Sequence, residues 1–213
     1  MKLKICGITT LEDARYCAAA GADYLGFIQY PESPRFIETK KAGGIIDWLF
    51  GSKPVGVFVN ASVEEINDAV DAAGFEYAQL HGDETAWECS QIQVPVIKAF
   101  RVRAGTSADD LREQLDEYGP YVDRFLLDAF STNAYGGTGE VFNWAVAQEL
   151  AADGYEFFLA GGIGPHNVRT AAETVQPYGI DASSRLESSP GVKDFDKLAN
   201  FFEAFDAVRE STA

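Results

Sequence analysis

Two side chains able to exchange protons stand where predicted strands end. Cys6 lies in the first apolar run, residues 2–8, and Asp128 closes a later one, Phe125-Leu126-Leu127-Asp128. Cys6 is either a small buried hydrophobic side chain or, beside a helix N-terminus, a thiol with a lowered pKa that acts as a base. Asp128 is either a helix cap or a second proton-handling group. Facing each other across a pocket, the two would form an acid–base pair.

Glycine and small polar residues follow two consecutive later strands. Gly161-Gly162-Ile163-Gly164 comes after one strand, and Asp181-Ala182-Ser183-Ser184-Arg185 spans the end of the next. Glycine lets backbone amides approach a ligand closely, and helix N-termini favour anions. Either segment alone is ordinary turn chemistry, but the two in adjacent loops predict a phosphate site.

Two further segments carry polar side chains after strands. Arg35, in Ser33-Pro34-Arg35, is either a solvated surface group or a guanidinium that holds a carboxylate in bidentate fashion. His81, in Gln79-Leu80-His81-Gly82, is either a structural group or a catalytic one.

The elements that must position these residues alternate along the chain. Capping boxes at Thr9-x-x-Glu12 and Ser62-x-x-Glu65 predict helix starts, and the last helix is expected at 194–208. One short pattern recurs, in which a helix-like stretch ends at Gly and an acidic and an aromatic residue then open an apolar run. It occurs at Gly21, Gly74 and Gly154, with spacings that fit a unit of about 27 residues. The strands are expected at residues 2–8, 23–28, 54–60, 76–80, 95–101, 124–128, 156–160 and 179–182.

Eight strand–helix units predict an α/β protein, a single (β/α)8 barrel (TIM barrel) formed by one domain over residues 1–213. An open doubly wound sheet is the alternative. Two strand-to-helix links are long, 29–38 and 129–141, and the second contains Gly136-Gly137-Thr138-Gly139. In a barrel these links lie on the carboxyl-end face, where active sites are built. The candidate residues are therefore expected on that face.

Composition excludes several classes of function. The 17 basic and 33 acidic side chains give a net charge of −16, which argues against nucleic-acid binding. No apolar run is long enough to span a membrane, and no signal-peptide core is seen. Cys6, Cys17 and Cys89 match neither a disulfide framework nor a metal site, and the last two are expected to be structural. We expect a cytoplasmic protein with a small-molecule partner.

The ordered motifs resemble those of phosphoribosylanthranilate isomerases of tryptophan biosynthesis over essentially the whole chain. The motifs are Lys4-Ile5-Cys6-Gly7-Ile8-Thr9, Ser33-Pro34-Arg35, Gln79-Leu80-His81-Gly82, Leu127-Asp128, Gly136-Gly137-Thr138-Gly139, Leu159-Ala160-Gly161-Gly162-Ile163, Asp181-Ala182-Ser183-Ser184 and Glu187-Ser188-Ser189-Pro190-Gly191-Val192-Lys193-Asp194. The resemblance implies a single (β/α)8 barrel that performs an Amadori rearrangement on a phosphosugar, without metal or coenzyme.

The resemblance also implies roles for individual residues. Cys6 would be the general base and Asp128 the general acid, while Arg35 would hold the anthranilate carboxylate. Gln79 and His81 would contact the substrate, and Asp181 would lie near the sugar hydroxyls. The phosphate would be bound by Gly161, Gly162, Ser183, Ser184 and Arg185. We expect a monomer rather than a homodimer.

Two positions depart from the family pattern. Asn143 stands where the family usually has Asp, and Asn caps a helix about as well. Arg185 stands where the family usually has Gly. Arg185 is either strained, if the backbone there needs a positive φ, or it adds a cation to the phosphate site.

Alternative functions use related barrels. A sugar isomerase of histidine biosynthesis, or a barrel serving both pathways, would have Asp at the end of the first strand, where this chain has Cys6. A metal-dependent phosphosugar epimerase would need a carboxylate–histidine cluster, and the sequence has only His81 and His166. A non-enzymatic binding barrel is opposed by the joint presence of Cys6 and Asp128.

The charge of −16 predicts adaptation to salt. Crowded surface carboxylates destabilise the folded state, and salt screens their repulsion within about 10 Å at 0.1 M and about 3 Å at 1 M. We therefore expect the melting temperature to rise steadily from low salt to molar potassium chloride, while KM for an anionic substrate increases. Calorimetry across that series is the measurement, and a flat or falling melting temperature would refute salt adaptation.

Overall fold

A computed structural model describes residues 1–103, 105–129 and 144–211. The predicted glycine loop Gly136–Gly139 and the departure at Asn143 lie outside the described residues. Eight parallel strands form a closed barrel in which each strand pairs with its sequence neighbours and β8 pairs with β1. These strands are β1 Lys2–Cys6, β2 Tyr24–Ile28, β3 Lys53–Phe58, β4 Tyr77–Leu80, β5 Val96–Val102, β6 Arg124–Ala129, β7 Phe157–Ala160 and β8 Gly179–Ala182.

The predicted fold class and all eight strands are confirmed. Closure is shown by the β1–β8 register, in which Lys4 lies opposite Asp181, so the open-sheet alternative is wrong. Helices follow the strands on the outside of the barrel. They are α1 Leu11–Ala19, α2 Thr39–Ile46, α3 Val63–Ala73, α4 Ala86–Cys89, α5 Ala108–Tyr118, α6 Trp144–Ala152, α7 Val168–Val175 and α8 Phe195–Ser211.

Helix capping differs from the sequence prediction at one of two sites. The capping box of Ser62 and Glu65 is confirmed. The box of Thr9 and Glu12 is wrong, because Thr10 is the residue that caps α1 by accepting from the Asp13 amide. The Thr9 hydroxyl instead donates to the Gly191 carbonyl, a contact between distant segments that the local pattern does not reveal.

The end of the chain contains a small element that the sequence analysis missed. Strands β9 Glu187–Ser189 and β10 Val192–Lys193 form an antiparallel hairpin between β8 and α8. Its strands are too short to show alternation. The last helix begins at Phe195 rather than at residue 194 and runs to Ser211 rather than 208. Its predicted inward side chains are buried against the barrel as expected: Leu198, Phe201, Phe202 and Phe205.

Aromatic side chains close the barrel interior at the amino ends of the strands. Tyr24 packs edge-on against Tyr77 and Phe158, with ring centroids 5.4 and 5.3 Å apart, and Phe158 packs edge-on against Tyr178. Such pairs are favourable beyond the area that they bury. Above this apolar layer the interior becomes polar, with Lys4, Gln79 and Asp181 buried. The barrel is therefore sealed at one end and can accept polar groups only at the other.

No described helix is long and apolar enough to cross a membrane.

Two glycines provide a matched test of this packing. A methyl group on Gly179 would lie 2.7 Å from the Phe158 ring and 2.8 Å from the Lys2 carbonyl oxygen, whereas one on Gly44, in the exposed part of α2, would meet nothing within 4 Å. We expect Gly179→Ala to lower the free energy of unfolding by about 1–3 kcal/mol through overpacking. Gly44→Ala should raise it by about 0.5–1 kcal/mol, because alanine favours a helix interior.

Urea unfolding of both variants measures the difference. Equal effects of the two substitutions would contradict the described contact between Gly179 and the aromatic layer.

Candidate active site

The predicted site residues meet at the carboxyl ends of the strands. Cys6 is the last residue of β1, and Asp128 is next to last in β6. His81 follows β4 directly, and Asp181 lies near the end of β8. Because the strands are parallel and the barrel is closed, these four residues surround one mouth. The expected face is confirmed, while the roles of the residues stay predictions.

Cys6 lies where the neighbouring strand leaves room for its side chain. Gly26 of β2 is opposite Cys6, and a methyl group added to Gly26 would lie 2.8 Å from the Cys6 Sγ. The Cys6 backbone carbonyl accepts hydrogen bonds from Lys193 Nζ at 2.6 Å and Ser183 Oγ at 3.0 Å. The thiol is therefore held at the mouth by its own strand and by the segment after β8.

Burial raises the pKa of the Cys6 thiol, while the charge of Lys4 and its hydrogen bonding lower it. The net change is upward, which argues against the alternative of a thiol with a lowered pKa. The other two cysteines lie in the outer helices, as expected for structural residues. Burial raises the pKa of Cys17 to about 12 and that of Cys89 to about 11.

Asp128 is joined to a polar chain that begins inside the barrel. His81 Nε2 lies 3.4 Å from Asp128 Oδ2, and His81 Nδ1 lies 3.0 Å from Gln79 Nε2. When the Gln79 amide donates to Nδ1, the ring proton resides on Nε2 and points toward Asp128. Gln79 itself is 1% exposed, and its Oε1 has no hydrogen-bond partner among the described residues. The contacts from Gln79 to His81 and from His81 to Asp128 fix the orientation of the Asp128 carboxylate.

Lys4 and Asp181 form a buried ion pair below the mouth. Lys4 Nζ lies 3.1 Å from Asp181 Oδ1, and the Lys4 side chain is completely buried. Burial raises the pKa of Asp181, and the charge of Lys4 opposes this effect. Asp181 thus reaches the site as predicted, but with a partner that the sequence analysis did not identify.

Arg35 is held in place by the hairpin. Its Nη2 and Nε lie 2.7 and 2.9 Å from the Glu187 carboxylate, and Lys193 Nζ lies 3.1 Å from the same group. Burial alone would raise the pKa of Glu187, but its bonds to Arg35 and Lys193 lower it below the ordinary value. Among the described residues, Nη1 of Arg35 has no hydrogen-bond partner.

The two glycine and serine segments lie in adjacent loops. Gly161 and Gly162 follow β7 with φ of +92° and +65°, conformations that favour glycine. Ser184 and Arg185 lie in the 3₁₀ turn Ser184–Leu186 that follows β8. Together with Gly162 they line an open cavity of about 390 Å³ that also contacts His166 and Lys197.

Arg185 is not strained. Among the described residues only Asn60 and Gln176 have positive φ without being glycine, so the strain explanation for Arg185 is wrong. A methyl group on Gly164 would lie 2.7 Å from the Arg185 Cβ, which shows that glycine at 164 makes room for the Arg185 stem. The exposed guanidinium is left as an added cation beside the loop.

Sequence reasoning missed three residues that hold the site together: Lys4, Glu187 and Lys193. Lys4 could have been found from alternation, because it lies two residues before Cys6 and shares its face of β1. Glu187 and Lys193 lie in the last motif of the resemblance, but no pattern there predicts their contacts with Arg35 and Cys6. Within the described residues, no three His, Cys, Asp or Glu side chains are grouped as metal ligands would be.

Comparisons with known proteins agree with the resemblance seen in the sequence. The family model described as N-(5'phosphoribosyl)anthranilate (PRA) isomerase matches residues 3–204. N-(5'-phosphoribosyl)anthranilate isomerase of Aquifex aeolicus is 44% identical over 208 residues, covering 95% of this chain and 97% of that protein.

Two solved structures share the fold along the chain. Monomers generated from the dimeric isomerase of Thermotoga maritima superpose with a TM-score of 0.84 at 34% identity, covering 97% of this chain and 99% of that one. An isomerase in complex with reduced 1-(o-carboxyphenylamino)-1-deoxyribulose 5-phosphate gives the same TM-score, identity and coverage. The chain belongs to the N-(5'-phosphoribosyl)anthranilate isomerase family.

Proposed function

We propose that this chain isomerises N-(5-phosphoribosyl)anthranilate to 1-(2-carboxyphenylamino)-1-deoxyribulose 5-phosphate, a step of tryptophan biosynthesis. One observation carries the proposal: Cys6 and Asp128 stand on the same barrel mouth, beside the Gly161–Gly162 and Ser183–Ser184 loops. An aldose-to-ketose rearrangement of a phosphosugar needs a general base, a general acid and an anion-binding loop, and a thiol, a carboxyl group and glycine-rich loops can supply them.

The reaction is a series of proton transfers with no net change in composition. Asp128 gives a proton to the furanose ring oxygen, and the C1–O bond breaks as the anthranilate nitrogen forms a protonated Schiff base with C1. Cys6, as a thiolate, then takes the proton from C2, which gives an enolamine. Tautomerisation of the enolamine, in which C1 gains a proton and the C2 hydroxyl loses one, gives the ketone and completes the Amadori rearrangement. His81 keeps the Asp128 carboxylate directed at the ring oxygen.

Binding uses groups around the rim. Arg35 offers its free Nη1 edge to the anthranilate carboxylate while Glu187 fixes the guanidinium plane. Amides of Gly161, Gly162, Ser183 and Ser184 hold the phosphate, and Arg185 adds a positive charge in a protein of net charge −16. Gln79, His81 and Asp181 contact the sugar. The substrate would be held at its two anionic ends with C1 and C2 between Cys6 and Asp128.

Related phosphosugar chemistry is disfavoured by the residue that ends β1. An isomerase of histidine biosynthesis, the alternative considered from the sequence, would have Asp at that place, and this chain has Cys6. We therefore propose a single activity rather than a bifunctional barrel.

We also propose that residues 1–213 act as one domain, as a monomer and in the cytoplasm. Every site residue in the described chain comes from the one barrel, so a second copy is not required to complete it. Copies of charge −16 also repel each other at low salt.

Removing either proton-handling group should stop the reaction while leaving the fold intact. We expect Cys6→Ser and Asp128→Asn each to lower kcat by about 10²-fold or more, the range for loss of an acid or base. Steady-state turnover of the substrate, made in situ, is the measurement. Cys17→Ser, at a buried thiol on α1 away from the mouth, is the control and should retain most of its turnover. Near-normal kcat in Cys6→Ser or Asp128→Asn would remove that residue from its role.

Replacing the guanidinium by an ammonium should weaken substrate binding. A lysine ammonium is a point charge and cannot bind the Glu187 carboxylate and the substrate carboxylate through two edges of one plane, as a guanidinium can. We therefore expect Arg35→Lys to raise KM by about tenfold, with a small change in melting temperature. Arg169→Lys is the matched control, because the one ion pair of Arg169 within the described residues is with Glu173 on the exposed face of α7. An unchanged KM in Arg35→Lys would return Arg35 to a purely structural role.

A further inference from the structure

Lys4 is the most deeply buried charged side chain near the proposed base. Its side chain has no exposed surface, and it lies on the same face of β1 as Cys6, one inward position deeper in the barrel. Moving an ammonium group out of water is unfavourable, and replacing a buried ion pair by apolar groups often improves stability. The presence of Lys4 in the barrel interior therefore calls for a reason other than packing.

The surroundings of Lys4 join it to both Asp181 and Cys6. Lys4 Nζ donates to Asp181 Oδ1 at 3.1 Å. A methyl group added to Gly26 would lie 3.1 Å from Lys4 Nζ and 2.8 Å from Cys6 Sγ, so the ammonium and the sulfur flank the same point on β2. Burial lowers the pKa of Lys4, but the charge of Asp181 and hydrogen bonding to Asp181 and Cys6 outweigh this effect and raise it.

A second buried lysine shows what a purely structural pair looks like in this chain. Lys98 Nζ lies 2.7 Å from Glu84 Oε2 and 2.8 Å from the Gly82 carbonyl oxygen, and the Glu84 carboxylate also accepts from the Asn60 and Gly82 amides. This pair ties three loops together. Lys4 differs, because its ammonium has one described carboxylate partner and lies, with the Cys6 sulfur, beside the same point on β2.

We propose that Lys4 is a positioning residue for the reaction: its buried ammonium, anchored by Asp181, stabilises the thiolate form of Cys6. The inference rests on the proposed function, in which Cys6 acts as the base. Lys4 keeps its protons throughout, so no bond to it forms or breaks. Its charge offsets the negative charge on sulfur before Cys6 takes the C2 proton.

Other charged groups also lie near Lys4 and Cys6 and contribute to the electrostatic potential at the thiol. Those that influence Cys6 are Lys193 from β10, Arg35 from the loop after β2, and Asp181 from β8, while Asp128 of β6 and His81 after β4 influence Asp181. Lys193 and Arg35 share the single carboxylate of Glu187, and Lys193 Nζ donates to the Cys6 and Ser183 backbone carbonyls. The charge of Lys4 lowers the pKa of Cys6 more than the charge of Lys193 does. Lys4 is therefore the cation whose removal should change the thiol most.

The test is the pH dependence of Cys6 alkylation by iodoacetamide in the full chain, with the modified peptide identified by mass spectrometry. We expect Lys4→Met to move the midpoint of the Cys6 profile to higher pH, so that alkylation below the midpoint falls by about tenfold or more, the usual effect of an opposite charge at this range. Lys4→Arg should restore most of the reactivity. Lys98→Met, which removes a buried lysine that pairs with Glu84, should leave the Cys6 profile unchanged.

Superimposable Cys6 profiles for Lys4→Met and the parent chain would overturn the inference, as would an equal shift in Lys98→Met. If Lys4→Met does not fold, Lys4→Gln replaces it as the test, because glutamine removes the charge and keeps a polar group beside Asp181. The Cys6 midpoint should again move to higher pH, and no shift or a downward shift would overturn the inference.

The alkylation experiment uses no substrate, so its result is separate from that of the turnover assay. In turnover, the acidic limb of kcat/KM should move with the alkylation midpoint in Lys4→Met. Normal turnover with no shift in Cys6 reactivity would refute only the role of Lys4. A shift in Cys6 reactivity in Lys4→Met, together with a parent chain that does not turn the substrate over, would refute the proposed function instead.

Discussion

The pairing of β1 with β8 is the constraint on which the rest of the structure depends. It closes the barrel by joining strands that are far apart in sequence, and its register places Lys4 opposite Asp181. The same closure brings Ser183 and Lys193 onto the Cys6 carbonyl. Without this pairing, Lys4 would lose its carboxylate partner Asp181, and the Cys6 carbonyl would lose its two donors. The fold and the site therefore depend on the same contacts.

The two ends of the barrel interior differ in character: aromatic packing fills the amino end, and polar side chains line the carboxyl end. Edge-on aromatic contacts around Tyr24 and Phe158 seal the amino end. The carboxyl end carries polar side chains whose burial is unfavourable unless they form hydrogen bonds or ion pairs. Ion pairs and hydrogen bonds fix Asp128 through His81 and Arg35 through Glu187. Side chains held in this way keep their geometry when substrate arrives, which is the preorganisation that proton transfer requires.

The sequence predicted what depends on local pattern and missed what depends on distant pairing. The strands were recognisable because buried parallel strands are short apolar runs, and Cys6 and Asp128 stood out because they end such runs. Arg35 and Lys4 pair with residues that are 152 and 177 positions away, so no local pattern predicts these two pairings. The same reason explains the error at Thr9, whose hydroxyl serves a distant carbonyl rather than its own helix. Thiol desolvation, too, follows only from the assembled barrel.

The central claim is that this site isomerises phosphoribosylanthranilate with protein groups alone. The most direct measurement is turnover of N-(5-phosphoribosyl)anthranilate, generated in situ, with and without a strong metal chelator, and beside it turnover of the corresponding aldose-type substrate of the histidine-pathway isomerases. The account predicts equal rates with and without chelator on the first substrate and no turnover of the second. Activity lost with chelator and restored by a divalent ion, or turnover of the second substrate alone, would contradict it.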